Sequence, residues 1–154
     1  AGNNNGYCQD SEITWILWDN LPETGKTLHE FTRHIIKLRA DQPLLRRENW
    51  RDGMVIEWFN AGGGFQQPEH WDEGSTLGVH IGRPDLQTED GIWHDVLMLL
   101  NPFEGNVPFR IPQFGEGGWV LELTTSDVAK RGLVITKEKD FELEGRSFAL
   151  FRRP

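Results

Sequence analysis

Hydrophobic and polar positions follow two different rhythms along this chain, and the change comes near residue 50. Leu28, Phe31, Ile35, Ile36 and Leu38 recur at three-to-four spacing, which predicts a helix over 28–40 with one apolar face. Thr27, followed three residues later by Glu30, reads as a capping box, and Pro43 stands just past the end. A helix this short is marginal alone in water, so its apolar face needs a partner surface. Beyond residue 50 the helical period is gone. "MVIEWF" at 54–59, "LGVHI" at 77–81, "DVLMLLN" at 95–101, "VPFRI" at 107–111, "GWVLELTT" at 118–125, "GLVITK" at 132–137 and "RSFALFRR" at 146–153 read as strands. "FELE" at 141–144 is a weaker eighth. Glycine, proline, asparagine or aspartate separates most of them. Short strands so punctuated predict a mainly β fold, an antiparallel β-sandwich rather than a parallel sheet. The connection at 60–76 is too long for a hairpin and is expected to fold over an edge or a face.

Residues 1–26 carry no sustained period, and "LPETGK" at 21–26 reads as a turn-rich end to a loop. The chain therefore divides into a loop and helix at 1–46 and a sandwich at 47–154. The helix has no helical partner in the sequence. That mismatch points to a piece of a larger architecture, its helix docked on something absent or on the sandwich. A dimer burying the exposed stripe is the other way to cover it.

Composition narrows the class. With 154 residues, 37% hydrophobic, 26% charged, 17 glycines and 8 prolines, the chain suits a loop-rich globular domain. A net charge of -8, with acids and bases interleaved, argues against nucleic acid or an anionic membrane as partner. No run of eighteen apolar residues and no signal peptide is visible. Cys8 is alone, so no internal disulfide forms, and a reducing cytoplasm fits best.

Candidate chemistry is sparse. The phosphate-cradling, His-Glu-x-x-His and Cys-x-x-Cys patterns are missing, and His29, His34, His70, His80 and His94 are scattered. No metal, no cofactor and no catalytic residue is expected from this chain. The Gly62-Gly63-Gly64 run reads as a turn. Asp10 with Glu12 and Glu69 with Asp72 are the acid pairs that glycoside hydrolysis calls to mind, but acids so spaced in loops are ordinarily solvated. The seven tryptophans say more. Trp15, Trp18 and Tyr7, beside Asn3, Asn4, Asn5, Asp10 and Glu12, make a sugar-facing loop: aromatic faces stack on sugar rings and the polar groups bond hydroxyls. Trp58 and Trp119, inside strand patterns, are expected in core packing. Trp71 is expected to cap the sandwich or to meet something outside the chain.

The stretch "GNNNGYCQDSEITW" at 2–15 closely resembles the Gly-Asn-Asn-Asn-Ala-Tyr-Cys-Gln-Asp-Asn-Glu-Ile-Ser-Trp segment of bacterial glycogen debranching enzymes and isoamylases, in the α-amylase superfamily. "LHEFTRHIIKLRADQPLLRR" resembles the last barrel helix of that family and its exit. "VIEWFNAGGGFQQPEHWDEGSTLGVHIGRPD", "HDVLMLLNPFEGNVPFRIP" and "GWVLELTT" resemble its C-terminal β-domain. Gly6, Ser11, Thr14 and the Ile16-Leu17 pair before Trp18 are departures, and none breaks the match.

The resemblance implies a parent enzyme that hydrolyses α-1,6 branch linkages in glycogen or related glucans, with retention, on a (β/α)8 barrel. Its three catalytic carboxylates would precede residue 1, so the chain alone is expected to be inactive. By position, the opening stretch resembles the loop between the eighth barrel strand and the eighth helix, on the catalytic face. That makes Asn3, Asn4, Asn5, Tyr7 and Asp10 candidate contacts to glucose units. A branched α-glucan is the implied partner. A non-catalytic glucan-binding module and an isoamylase-type starch debranching enzyme are the alternatives.

Overall fold

The structure is a computed structural model that describes residues 7, 10–46, 49, 53–72, 74–83, 92–126, 129–136 and 140–153. The backbone divides into two compact units, Ala1–Asp41 and Gln42–Pro154.

In the first unit a 3-10 turn at Trp18–Asn20 leads into helix α1, Glu23–Asp41. The helix begins a turn earlier than its apolar period predicts, so the capping box at Thr27 is not one. Thr27 Oγ1 donates to the Glu23 carbonyl at 3.1 Å, a bond made from inside the helix. The start lies at Pro22, whose carbonyl accepts the Lys26 N–H at 3.1 Å. Proline suits that place because its φ is already helical and it has no N–H to leave unpaired. Glu23 adds a negative charge at the positive end of the helix dipole. Pro43 forbids helical backbone at Gln42, which turns extended (φ -109, ψ 104) and ends the helix.

The second unit opens with a 3-10 turn at Pro43–Leu45, has another at Pro68–His70 and is mainly β. Its eight strands among the described residues are β1 Val55–Phe59, β2 Leu77–Gly82, β3 Asp95–Asn101, β4 Val107–Phe109, β5 Trp119–Thr124, β6 Val134–Ile135, β7 Phe141–Leu143 and β8 Ser147–Arg152. Seven fall inside the stretches the alternation predicted, and β2 runs one residue past its stretch, to Gly82. Six form an antiparallel sheet in the order β1-β2-β3-β8-β5-β6, and β4 pairs with β7 in a second, two-stranded sheet. The expected antiparallel β-sandwich is present. Register aligns the inward positions in rows, for example Phe59 opposite Gly78, and Leu97 opposite Phe151, which in turn faces Leu121. Phe109, Phe141 and Leu143 of the small sheet pack into the same cluster as Leu97, Leu121 and Phe151. The core is this single layer of side chains between the two sheets.

The connection after β1 folds back along the strand edge, as expected. Phe65 bridges to Phe59, and Gln66 N–H donates to the Trp58 carbonyl at 2.8 Å. The glycine run makes the turn: Gly63 has φ +86 and its N–H donates to the Asn60 carbonyl at 2.9 Å. Ala61 O accepts Arg110 N–H at 2.9 Å, which stitches the turn to the residue after β4.

Candidate functional site

The sequence-predicted site is the loop before α1. Asn3, Asn4 and Asn5, like Cys8, lie outside the described residues. Tyr7 is 80% exposed, with φ 44, a left-handed conformation that a tyrosine seldom adopts. Asp10 is exposed, and its Oδ1 accepts the Trp15 indole N–H at 2.6 Å. Between them the Ser11 carbonyl collects the N–H groups of Thr14 and Trp15, at 2.9 and 3.2 Å, and closes the turn. Trp18 rests edge-on against His29 of α1, ring centres 6.1 Å apart. The structure thus joins Asp10 to Trp15 and Trp18 to the helix, and leaves Tyr7 projecting into solvent. Ile13, Trp15, Ile16, Leu17 and Trp18 are all exposed, as are Leu28, Ile35 and Ile36 of the helix.

The acid pairs weighed from the sequence lie open to solvent. Asp10, Glu12, Glu69 and Asp72 are all exposed. A groove of ≈ 610 Å³ beside β6 and β7 brings in two other acids, Asp140 and Glu142. Each already has a polar partner: Asp140 accepts from Arg110 Nε at 3.4 Å and Glu142 from Asn106 Nδ2 at 2.9 Å. Among the described residues no three His, Cys, Asp or Glu side chains are grouped as a metal site.

The tryptophans divide. Trp119 is in the core, as expected. Trp58 is not: it shares a strand with Phe59 but points to the other face, where it is half-buried. There it braces Trp71 edge-on, ring centres 5.7 Å apart, and Trp71 stays half exposed. Trp93, a position with no expectation attached, is buried, and its N–H donates to Gln42 Oε1 at 3.0 Å.

The most tightly paired polar cluster was not anticipated. His80 is 5% exposed and holds a carboxylate on each ring nitrogen. Nδ1 lies 3.0 Å from Glu57 Oε2 and Nε2 lies 2.8 Å from Asp95 Oδ1. Phe114 stacks on the imidazole at 4.1 Å. Arg153 Nη1 sits 3.2 Å from Asp95 Oδ2, and its guanidinium covers the Trp119 ring at 4.7 Å. Burial alone would raise the Asp95 carboxyl. The His80 hydrogen bond and the charges of Arg153, His80 and His94 outweigh burial and hold it below its ordinary 3.8. The legible signal was parity: Glu57 and Phe59 are two apart on one strand, so an inward Phe59 puts Glu57 inward too.

No family model matches the chain. It is 42% identical over 76 residues to a protein named glycogen debranching enzyme from Pectobacterium carotovorum, covering 47% of this chain and 11% of that protein. Across 99% of this chain it is 29% identical to a protein named glycogen operon protein GlgX homolog from Mycobacterium tuberculosis, of which 23% is covered. A protein of the same name from Haemophilus influenzae is 28% identical over 144 residues, 90% of this chain and 20% of that protein. The chain is thus related to bacterial proteins of the glycogen debranching type, as the opening motif implied. It spans less than a quarter of the length of these relatives.

Proposed function

We propose that the chain is the C-terminal portion of a glycogen debranching enzyme that hydrolyses α-1,6-glucosidic branch linkages by a retaining mechanism. Residues 1–46 would be the end of the catalytic barrel and 47–154 its C-terminal domain, working in the cytoplasm. The portion itself is structural or substrate-supporting. The observation that carries this reading is similarity along 99% of the chain to a protein of the GlgX type more than four times as long. The solvated state of Asp10, Glu12, Glu69 and Asp72 agrees with catalysis resting on groups elsewhere in a longer protein. In that setting Asn3, Asn4, Asn5, Tyr7 and Asp10 would line the glucan path. The exposed Tyr7 ring offers a stacking face, and the Asp10–Trp15 bond holds a second aromatic ring, the Trp15 indole, in place. Incubating the 154-residue chain with a branched limit dextrin should release no linear maltooligosaccharides. Release above the buffer rate would overturn the assignment of a non-catalytic role.

A second reading, a glucan-binding module, rests on Trp71, an exposed indole held rigid by Trp58. Titration with maltooligosaccharides, followed by tryptophan fluorescence, separates the two. Saturable binding that Trp71→Ala removes supports the module, and a flat response supports a purely structural role.

A further inference from the structure

We infer that Glu57, His80, Asp95 and Arg153 form a proton-locked clasp that ties the end of β8 to the β1–β3 half of the sheet and opens when His80 loses its second ring proton. The clasp crosses four places in the chain. Glu57 comes from β1, His80 from β2, Asp95 opens β3 and Arg153 follows β8.

Hydrogen-bond inventory sets the proton count. An ionised carboxylate only accepts, while a neutral imidazole offers one donor and one acceptor. With a carboxylate at 3.0 Å on one nitrogen and another at 2.8 Å on the other, a singly protonated ring would set lone pair against lone pair on one side. Either the ring carries two N–H groups or one acid carries a proton. Arg153 on the second oxygen of Asp95 favours the ionised acid there. With the doubly protonated ring the four groups alternate minus, plus, minus, plus, and the charges cancel. His80 is the buried member of this run, Asp95 and Arg153 are partly buried, and Glu57 reaches solvent. Charges taken out of water are tolerable when so paired.

The groups facing His80 from its neighbours are few. β1 supplies Glu57 and β3 supplies Asp95, with His94 adjoining it. The segment after β4 lays the Phe114 ring on the imidazole, and β5 presents Trp119 edge-on at 5.9 Å. Arg153 also donates from Nη2 to the Phe114 carbonyl at 2.8 Å, so the same cation fixes the ring that lids the histidine. Gly82 keeps the space open: a Cβ there would lie 2.8 Å from Asp95 Oδ1.

The imidazolium ties Glu57 to Asp95 only while both ring nitrogens carry a proton, so loss of one of them opens the clasp. Asp95, held below its ordinary value, contributes above that value and loses its contribution as pH falls through the folded one.

Nitrogen-15 spectra of the imidazoles in the 154-residue chain test this. The expected result at neutral pH is both His80 nitrogens protonated. As that pattern disappears on raising pH, amide exchange at Phe151 and Arg152, corrected for its intrinsic rate, should accelerate by about tenfold. His80→Gln should show the faster exchange already at neutral pH, with no step on raising it. A singly protonated His80 ring at neutral pH, or exchange in β8 indifferent to it, overturns the proposal. Should His80→Gln not fold, Glu57→Gln decides: it should lower the pH at which the second proton leaves, and an unchanged titration overturns the clasp.

Discussion

Replacing a glycine by alanine inside a strand ordinarily stabilises a protein by about 0.5–1 kcal/mol. At Gly78 the sign should reverse. Gly78 on β2 faces Phe59 on β1, and the phenyl ring lies directly over the glycine. A Cβ at that position would sit 2.5 Å from Cε1 and closer still to Cζ and Cε2, well inside the 3.0 Å that real Cβ contacts respect. The ring has nowhere to withdraw, because Phe59 is fully buried and rests against Phe114 at 5.6 Å. Two responses bound the cost. If the ring stays and β1 and β2 shift apart, overpacking costs about 1–3 kcal/mol. If the ring is expelled, its burial is forfeited, about 3–5 kcal/mol on the scale of Phe→Ala truncations. The expected loss is therefore about 3 kcal/mol, read as a shift in urea midpoint at constant slope. Adding Phe59→Leu removes the atoms that the new methyl meets. The double variant should then be more stable than the sum of the two singles by about 1–2 kcal/mol. Gly78→Ala at or above wild-type stability, or strict additivity in the pair, would refute the packing argument.

Four further outcomes are expected. Asn101 is buried, donates from Nδ2 to the carbonyls of Gly105, Leu143 and Glu144, and accepts from Phe103 N–H through Oδ1. Asn101→Asp turns those donors into an acceptor facing three carbonyls and should cost about 3 kcal/mol in a denaturant titration despite its equal size. Glu122, also buried, is clamped by Arg131 and by Arg152 at 3.2 Å. Glu122→Ala should cost about 2 kcal/mol, less than a fully buried pair because the Arg131 side chain is mostly in solvent. Asp95→Asn should lower stability at neutral pH and weaken the wild-type loss of stability toward about pH 3, compared by thermal melts at both values. Finally, amides of α1 should exchange faster than those of β3 and β8, since most of the helix's apolar residues lie open to solvent while both strands are flanked on each side.

Much of the β architecture was legible because the core-cluster positions recur two apart within a strand, Leu97 with Leu99, Trp119 with Leu121 and Ala149 with Phe151. The helix start was hidden by Pro22 and Gly25. Both punctuate loops, yet proline at a helix start and a glycine in the first turn are compatible with helix. The buried charges were the larger miss. Charged residues in strands read as outward, and only the register that sets Glu57 opposite His80 and Gly82 opposite Asp95 brings the three together. The register shift between Leu121 and Leu123, at Glu122, is likewise unreadable in "GWVLELTT", because a bulge adds one residue without changing composition. The candidate loop was legible as a family motif. Its Trp15 to Asp10 bond was not, since it depends on a turn that Ser11 closes.

On the proposed function the chain supports branch cleavage without performing it. The most direct test sets the 154-residue chain beside a longer natural protein that carries the same sequence, each supplied with an α-1,6-branched limit dextrin. New reducing ends from the longer protein and none from the chain are the predicted result. Reducing ends from the chain alone, or none from the longer protein, would contradict it.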